Sequence, residues 1–104
     1  LNDKFLIFSG IGNNNSFKEI LIKNDFNIVE EMIFPDHYDY KAFDIIKILK
    51  NAENKNIKII TTEKDYVKIP LNLREKINFI KIDLEILDQK KLIGLIESKI
   101  NEIN

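Results

Sequence analysis

Short apolar runs alternate with segments of helical period along the chain, and that alternation restricts the fold more than any single motif. Lys4–Ser9 (KFLIFS) is apolar almost throughout, as a strand buried on both faces must be, and it stops at Gly10. The stretch Gly10-Ile11-Gly12-Asn13-Asn14-Asn15 then reads as a loop of residues able to adopt positive φ. Ser16 with Glu19 three positions later has the form of a capping box, which predicts a helix from there to about Asn24. Asn24-Asp25 breaks it, and Asn27–Phe34 is the second strand, ended by Pro35, which has no N–H to give a ladder.

Asp39 is a candidate N-cap for the next helix, from Tyr40 to about Asn54. Its apolar stripe is expected to be Ala42, Ile45, Ile46, Leu49 and Ala52, with Lys47, Lys50 and Glu53 on the wet side. Ile57–Thr61 follows as a third strand, and Thr62 can cap a short turn through Glu63, Lys64 and Asp65. Pro70 to Lys76 is a loop with a short helical piece, and Ile77–Ile82 a fourth strand. Asp88 opens a last helix that turns Leu92, Ile93, Leu95, Ile96 and Ile100 inward.

The order β-α-β-α-β-(short α)-β-α predicts right-handed crossovers. The expected fold is a Rossmann-like three-layer α/β/α sandwich around a mainly parallel four-stranded sheet. At 104 residues the chain holds a single domain of this kind. Ligands of such sheets gather at the carboxyl ends of the strands. Gly10–Asn15, Pro35–Tyr38 and Thr62–Asp65 each follow a strand, so they are expected to share one rim.

Composition closes off several classes. With 16 basic and 17 acidic residues spread along the chain, the net charge is -1 and no clustered basic surface for nucleic acid is evident. There is no cysteine, hence no disulfide or thiolate metal site, and one histidine cannot build a His-rich one. No apolar run reaches the roughly 18 residues that cross a bilayer, and no basic segment leads into an apolar signal-peptide core, so the domain is expected to be soluble. Leu1 stands where an initiator methionine would, which suggests a fragment. With glycine only at 10, 12 and 94, a G-x-x-x-x-G-K-[ST] phosphate loop cannot be formed.

Each rim segment admits two readings. Gly10-Ile11-Gly12 is either a tight strand-to-helix turn or the start of an anion site, although Asn15 stands where a third glycine of a dinucleotide fingerprint would be. His37 is either an exposed turn residue or a group that orients a carboxylate, relays a proton or meets phosphate, with Asp36 beside it to hold the imidazole. In Thr61-Thr62-Glu63-Lys64-Asp65, capping accounts for Thr62 and Asp65 and leaves Lys64 unexplained. A stand-alone nucleotide- or phosphate-binding module without catalysis would suit such a rim. So would an interaction domain of receiver-like topology, though no acidic cluster ends the first strand.

Taken together, F-S-G-I-G-N at 8–13, F-P-D-H-Y at 34–38 and T-T-E-K-D at 61–65 resemble the C-terminal region of the tetraacyldisaccharide 4'-kinases, the lipid A 4'-kinases. Phe17 and Asp44 fit the same pattern, and Asn14 stands where that family has proline. The resemblance covers most of residues 4–70. It implies one domain of a two-domain enzyme whose absent N-terminal domain carries the phosphate loop, the catalytic carboxylate and the membrane contact. The full enzyme would use Mg²⁺ and ATP to phosphorylate the 4'-hydroxyl of tetraacyldisaccharide 1-phosphate at the cytoplasmic face of the inner membrane. For this chain the resemblance implies a catalytic part for His37 and Asp36, and no metal ligand. Lys64, Thr62 and Gly12 are expected to contact phosphate or substrate, and the isolated chain is expected to be inactive.

Overall fold

The computed structural model describes residues 3–82, so the helix expected from Asp88 lies outside the described residues. Its elements run β1 (Lys4–Ser9), α1 (Asn14–Lys23), β2 (Asn27–Ile33), α2 (Ala42–Lys55), β3 (Lys58–Thr62), α3 (Glu63–Tyr66), a 3-10 turn at Leu71–Leu73, and β4 (Ile77–Ile80). The strands are all parallel in the order β2-β1-β3-β4. The expected α/β, Rossmann-like class is the class observed.

β1 lies inside the sheet, and its unbroken apolar run reflects burial on both sides. Leu6 and Phe8 pack with Tyr40, Ile45, Ile48, Ala52 and Ile59, so α2 covers that face. Phe5 and Ile7 pack with Phe17 and Leu21 of α1 and with Ile60 and Ile80 on the opposite face. β2 is an edge strand, and its pairing with β1 slips by one residue between Phe5 and Leu6. Such a bulge twists an edge away from further pairing. The left-handed residues Asp25 (φ 66°) and Asn56 (φ 55°) turn the chain out of the two long helices. Asp and Asn tolerate this conformation because their short side chains bond locally.

Three expectations need correction. First, Asn13 and not Ser16 caps α1: its side chain accepts the Ser16 N–H at 3.3 Å, so Ser16 is a donor within the first turn. Asn14, where the resembled family has proline, occupies the first helical position, a site that suits proline. Here its side chain accepts the Ser9 hydroxyl, which ties the helix start to the end of β1.

Second, α2 begins at Ala42, not Tyr40, because the Tyr40 ring is drawn into the core. It packs edge-on against Phe8 and Phe34 at centroid distances of 5.6 and 5.1 Å. Asp39 is therefore no cap. The first turn is closed instead by Asp44, whose carboxylate accepts the Lys41 N–H at 2.9 Å.

Third, the buried stripe of α2 is Ile45, Ile48 and Ala52, with Leu49 half-buried, while Ala42 and Ile46 face outward. Both stripes have helical spacing, and only the contact with β1 and β3 selects between them. Replacing Ile48 with Ala is expected to cost about 2–5 kcal/mol and Ile46 with Ala less than about 1, measured by urea unfolding of the chain. Equal losses would contradict this facing of α2.

Candidate functional site

The rim at the carboxyl ends of the strands is organised by one buried carboxylate. Asp65, 1% exposed, accepts the Gly10 backbone N–H at 3.0 Å and the Tyr40 hydroxyl at 2.9 Å on Oδ1, and the Thr62 hydroxyl at 2.6 Å on Oδ2. These donors come from the end of β1, the loop after β2 and the end of β3. A carboxylate removed from water is tolerable only with such partners. Thr62 also accepts the Asp65 N–H at 3.2 Å, the expected N-cap of α3. One residue earlier on β3, the Thr61 hydroxyl donates to the Phe8 carbonyl at 2.7 Å.

Space and not conformation favours glycine at position 10. A Cβ there would stand 3.0 Å from the Pro35 carbonyl oxygen and 3.3 Å from both Tyr38 Cβ and the Tyr40 hydroxyl. Neither Gly10 nor Gly12 has positive φ, contrary to the expectation for this loop. The close approach lets Phe34 N–H reach the Ser9 carbonyl at 2.9 Å and His37 N–H reach the Gly10 carbonyl at 3.1 Å.

Phe34, Tyr38 and Tyr40 form a packed aromatic group beneath this loop, with centroids 4.9 to 5.2 Å apart. Burial, and then the charge of Asp65, push the Tyr40 hydroxyl far above its ordinary range. The Tyr38 hydroxyl donates to Asp44 at 2.8 Å, and that bond is the main reason its pKa is also raised.

The loop that follows β2 holds His37 in the left-handed region, at φ 62°. Tyr38 N–H donates to the Pro35 carbonyl at 3.1 Å, closing a turn with His37 at its third position. That pattern belongs to a type II turn, where glycine is the usual occupant. The backbone of His37 is thus clamped to β1 while its side chain stays 89% exposed. Its Nε2 lies 3.7 Å from Asp36 Oδ2, an exposed pairing of small energetic weight.

All three expected segments line one cavity of about 630 Å³. Gly12 is on its wall, where a Cβ would lie 3.4 Å from Asp36 Oδ2. Asp36, His37, Thr62 and Lys64 contribute as well. Thr62 is only 4% exposed and its hydroxyl is committed to Asp65, so it builds the wall and presents little to the space. Lys68 and Lys81 also line the cavity, and sequence reading passed over both. Lys68 follows Lys64 by four residues, a spacing that could have flagged it.

Among the described residues, no three His, Asp or Glu side chains converge as a metal site. Nor is any helix there long and apolar enough to cross a membrane. Fold and rim together define a Rossmann-like domain with a polar cavity at its strand ends, furnished with a histidine and lysines.

The profile of the tetraacyldisaccharide-1-P 4'-kinase family matches residues 1–101, and the chain belongs to that family. It is 41% identical over 103 residues to the tetraacyldisaccharide 4'-kinase of Pelagibacter ubique, an alignment spanning 99% of this chain and 32% of that protein. With the enzyme of the same name from Cytophaga hutchinsonii it shares 35% identity over 95% of this chain and 30% of the relative. With that from Rickettsia bellii the identity is 46% over 65% of this chain and 21% of the relative. The chain thus spans about a third or less of these relatives. No solved structure gives a significant match.

The Tyr40–Asp65 bond has a signature in pH. A hydroxyl whose pKa is raised in the fold keeps its proton where the unfolded chain, titrating at its ordinary 10.0, has lost it. Its stabilising effect is complete below that value and is lost as pH rises beyond it, by up to about 1.4 kcal/mol per pH unit. The Tyr40→Phe chain is expected to lose about 0.5–1.5 kcal/mol at neutral pH and to fall less steeply in alkali. Urea titrations above about pH 10 giving the same slope for both chains would contradict this assignment.

Proposed function

We propose that this chain is the smaller, C-terminal domain of a kinase that moves the γ-phosphate of ATP to the 4'-hydroxyl of tetraacyldisaccharide 1-phosphate. Family membership and the names of the relatives support the reaction class. The short coverage of those relatives supports a partner domain outside this chain. That domain, N-terminal to this one, carries the phosphate loop and the membrane contact, and the complete protein works at the cytoplasmic face of the inner membrane. Mg²⁺ does not fit the described residues as a resident group, since these lack a convergent acidic set, and the chain has no phosphate loop with which to grip ATP by itself. The isolated chain is therefore inactive.

The observation that carries the reading is His37. A bulky side chain in a left-handed turn position carries a backbone cost, and such outliers concentrate where geometry serves function. Here the turn fixes the backbone against Gly10 and leaves the imidazole free to reach across a cleft. In the closed enzyme His37 hydrogen-bonds a carboxylate of the facing domain and holds it toward the acceptor hydroxyl, whose proton that carboxylate accepts. Asp36 keeps the imidazole on the cavity side. Lys64 meets phosphate, and Thr62 and Gly12 shape the wall.

Two substitutions in the full-length enzyme separate imidazole from backbone. His37→Ala is expected to lower kcat about a hundredfold with a smaller change in KM. His37→Gly should lower it as much while leaving the fold at least as stable, because glycine accepts the turn freely. Turnover near wild type in both variants would sink the assignment.

A further inference from the structure

Three ammonium groups line the cavity beside His37 with no anionic partner among the described residues. Lys64 belongs to α3, and the helical turn continues past Tyr66 through Val67 N–H to the Glu63 carbonyl at 3.1 Å and Lys68 N–H to the Asp65 carbonyl at 3.0 Å. Lys64 and Lys68, four residues apart, therefore project from one side of this turn. Lys81 follows directly on β4, the neighbouring strand. Two adjacent strand ends thus aim like charges at one concave space, all three side chains belonging to exposed residues.

Like charges so placed repel one another, and the carboxylates nearby do little to relieve them. Asp65 is buried and taken up by three donors. Asp36 stands against Gly12 and His37 and forms no ion pair with any of the three. Glu63 faces the same space but forms no ion pair with any of the three. A cavity walled by unpaired lysines raises the local concentration of anions, and an ammonium binds phosphate as a point charge without demanding a rigid geometry.

We propose that Lys64, Lys68 and Lys81 form a phosphate-binding subsite on this domain, which would take a terminal phosphate of a nucleotide or a sugar phosphate monoester. The inference rests on the kinase reading, which supplies both sources: ATP, and the 1-phosphate of the acceptor. The subsite holds its anion by charge and leaves orientation of the reacting hydroxyl to the His37 side of the cavity.

The test is steady-state kinetics of the full-length enzyme carrying Lys64→Gln, Lys68→Gln and Lys81→Gln together, with ATP and tetraacyldisaccharide 1-phosphate varied in turn. KM for one of them is expected to rise about tenfold or more, with a smaller change in kcat. A rise confined to the acceptor identifies the 1-phosphate as the bound group, and a rise confined to ATP identifies the nucleotide. Unchanged KM for both overturns the subsite. Failure of the kinase reading is distinguishable, since the wild-type protein would then transfer no phosphate. In that event calorimetry with inorganic phosphate and with ATP decides: binding lost in the triple variant upholds the subsite, and equal or absent binding in both proteins overturns it.

Discussion

The carboxylate of Asp65 is the interaction on which the rim depends. One group, almost wholly removed from water, accepts hydrogen bonds from Gly10, Tyr40 and Thr62 and so fastens three chain segments. The strands would form a parallel sheet without it, because that follows from alternating apolar runs and crossovers. What the carboxylate adds is a common level for the loops that leave the sheet. Its burial is costly, and three donors offset that cost only if Gly10, Tyr40 and Thr62 all keep their positions. The arrangement is therefore cooperative, and a rim so built holds its loops in register.

The position of His37 follows from that constraint. With Gly10 drawn against Asp65, the loop after β2 passes so close that a Cβ on residue 10 would crowd the Pro35 carbonyl at 3.0 Å. Gly10 offers its carbonyl to His37 N–H in return, and the chain turns there with His37 at positive φ. Tyr40 occupies the core beneath, packed on Phe8 and Phe34, so the loop is supported from below as well. A backbone held by hydrogen bonds and an exposed imidazole suit the positioning role proposed for His37.

Much of this was legible in the sequence. The element order as far as β4, the parallel sheet, the N-cap at Thr62 and the shared rim all follow from local signals: strand-ending glycine and proline, capping residues and apolar period. Features set by distant contacts were not legible. Asp65 reads locally as a helix-capping partner, because two of its three donors lie 25 and 55 residues away. Tyr40 reads as a helix start, because nothing nearby announces that its ring belongs to the core. Ile46 and Ile48 fit two stripes of the same helix equally well, and only packing on β1 and β3 decides. On its chemistry alone His37 reads equally as an exposed turn residue, only the family resemblance gives it a catalytic part, and its backbone conformation is not legible in residue types.

The chain belongs to the 4'-kinase family and spans about a third or less of the relatives it matches, and in the proposed function its rim is one wall of a site shared with a facing domain. The most direct measurement is a crystal structure of the full-length enzyme with nucleotide and acceptor bound. The account predicts the His37 imidazole within hydrogen-bonding distance, about 2.6–3.2 Å, of a carboxylate on the facing domain, with the Asp65 hydrogen bonds unchanged. A closed complex in which His37 points to bulk solvent, with no group of the facing domain in reach, would contradict it.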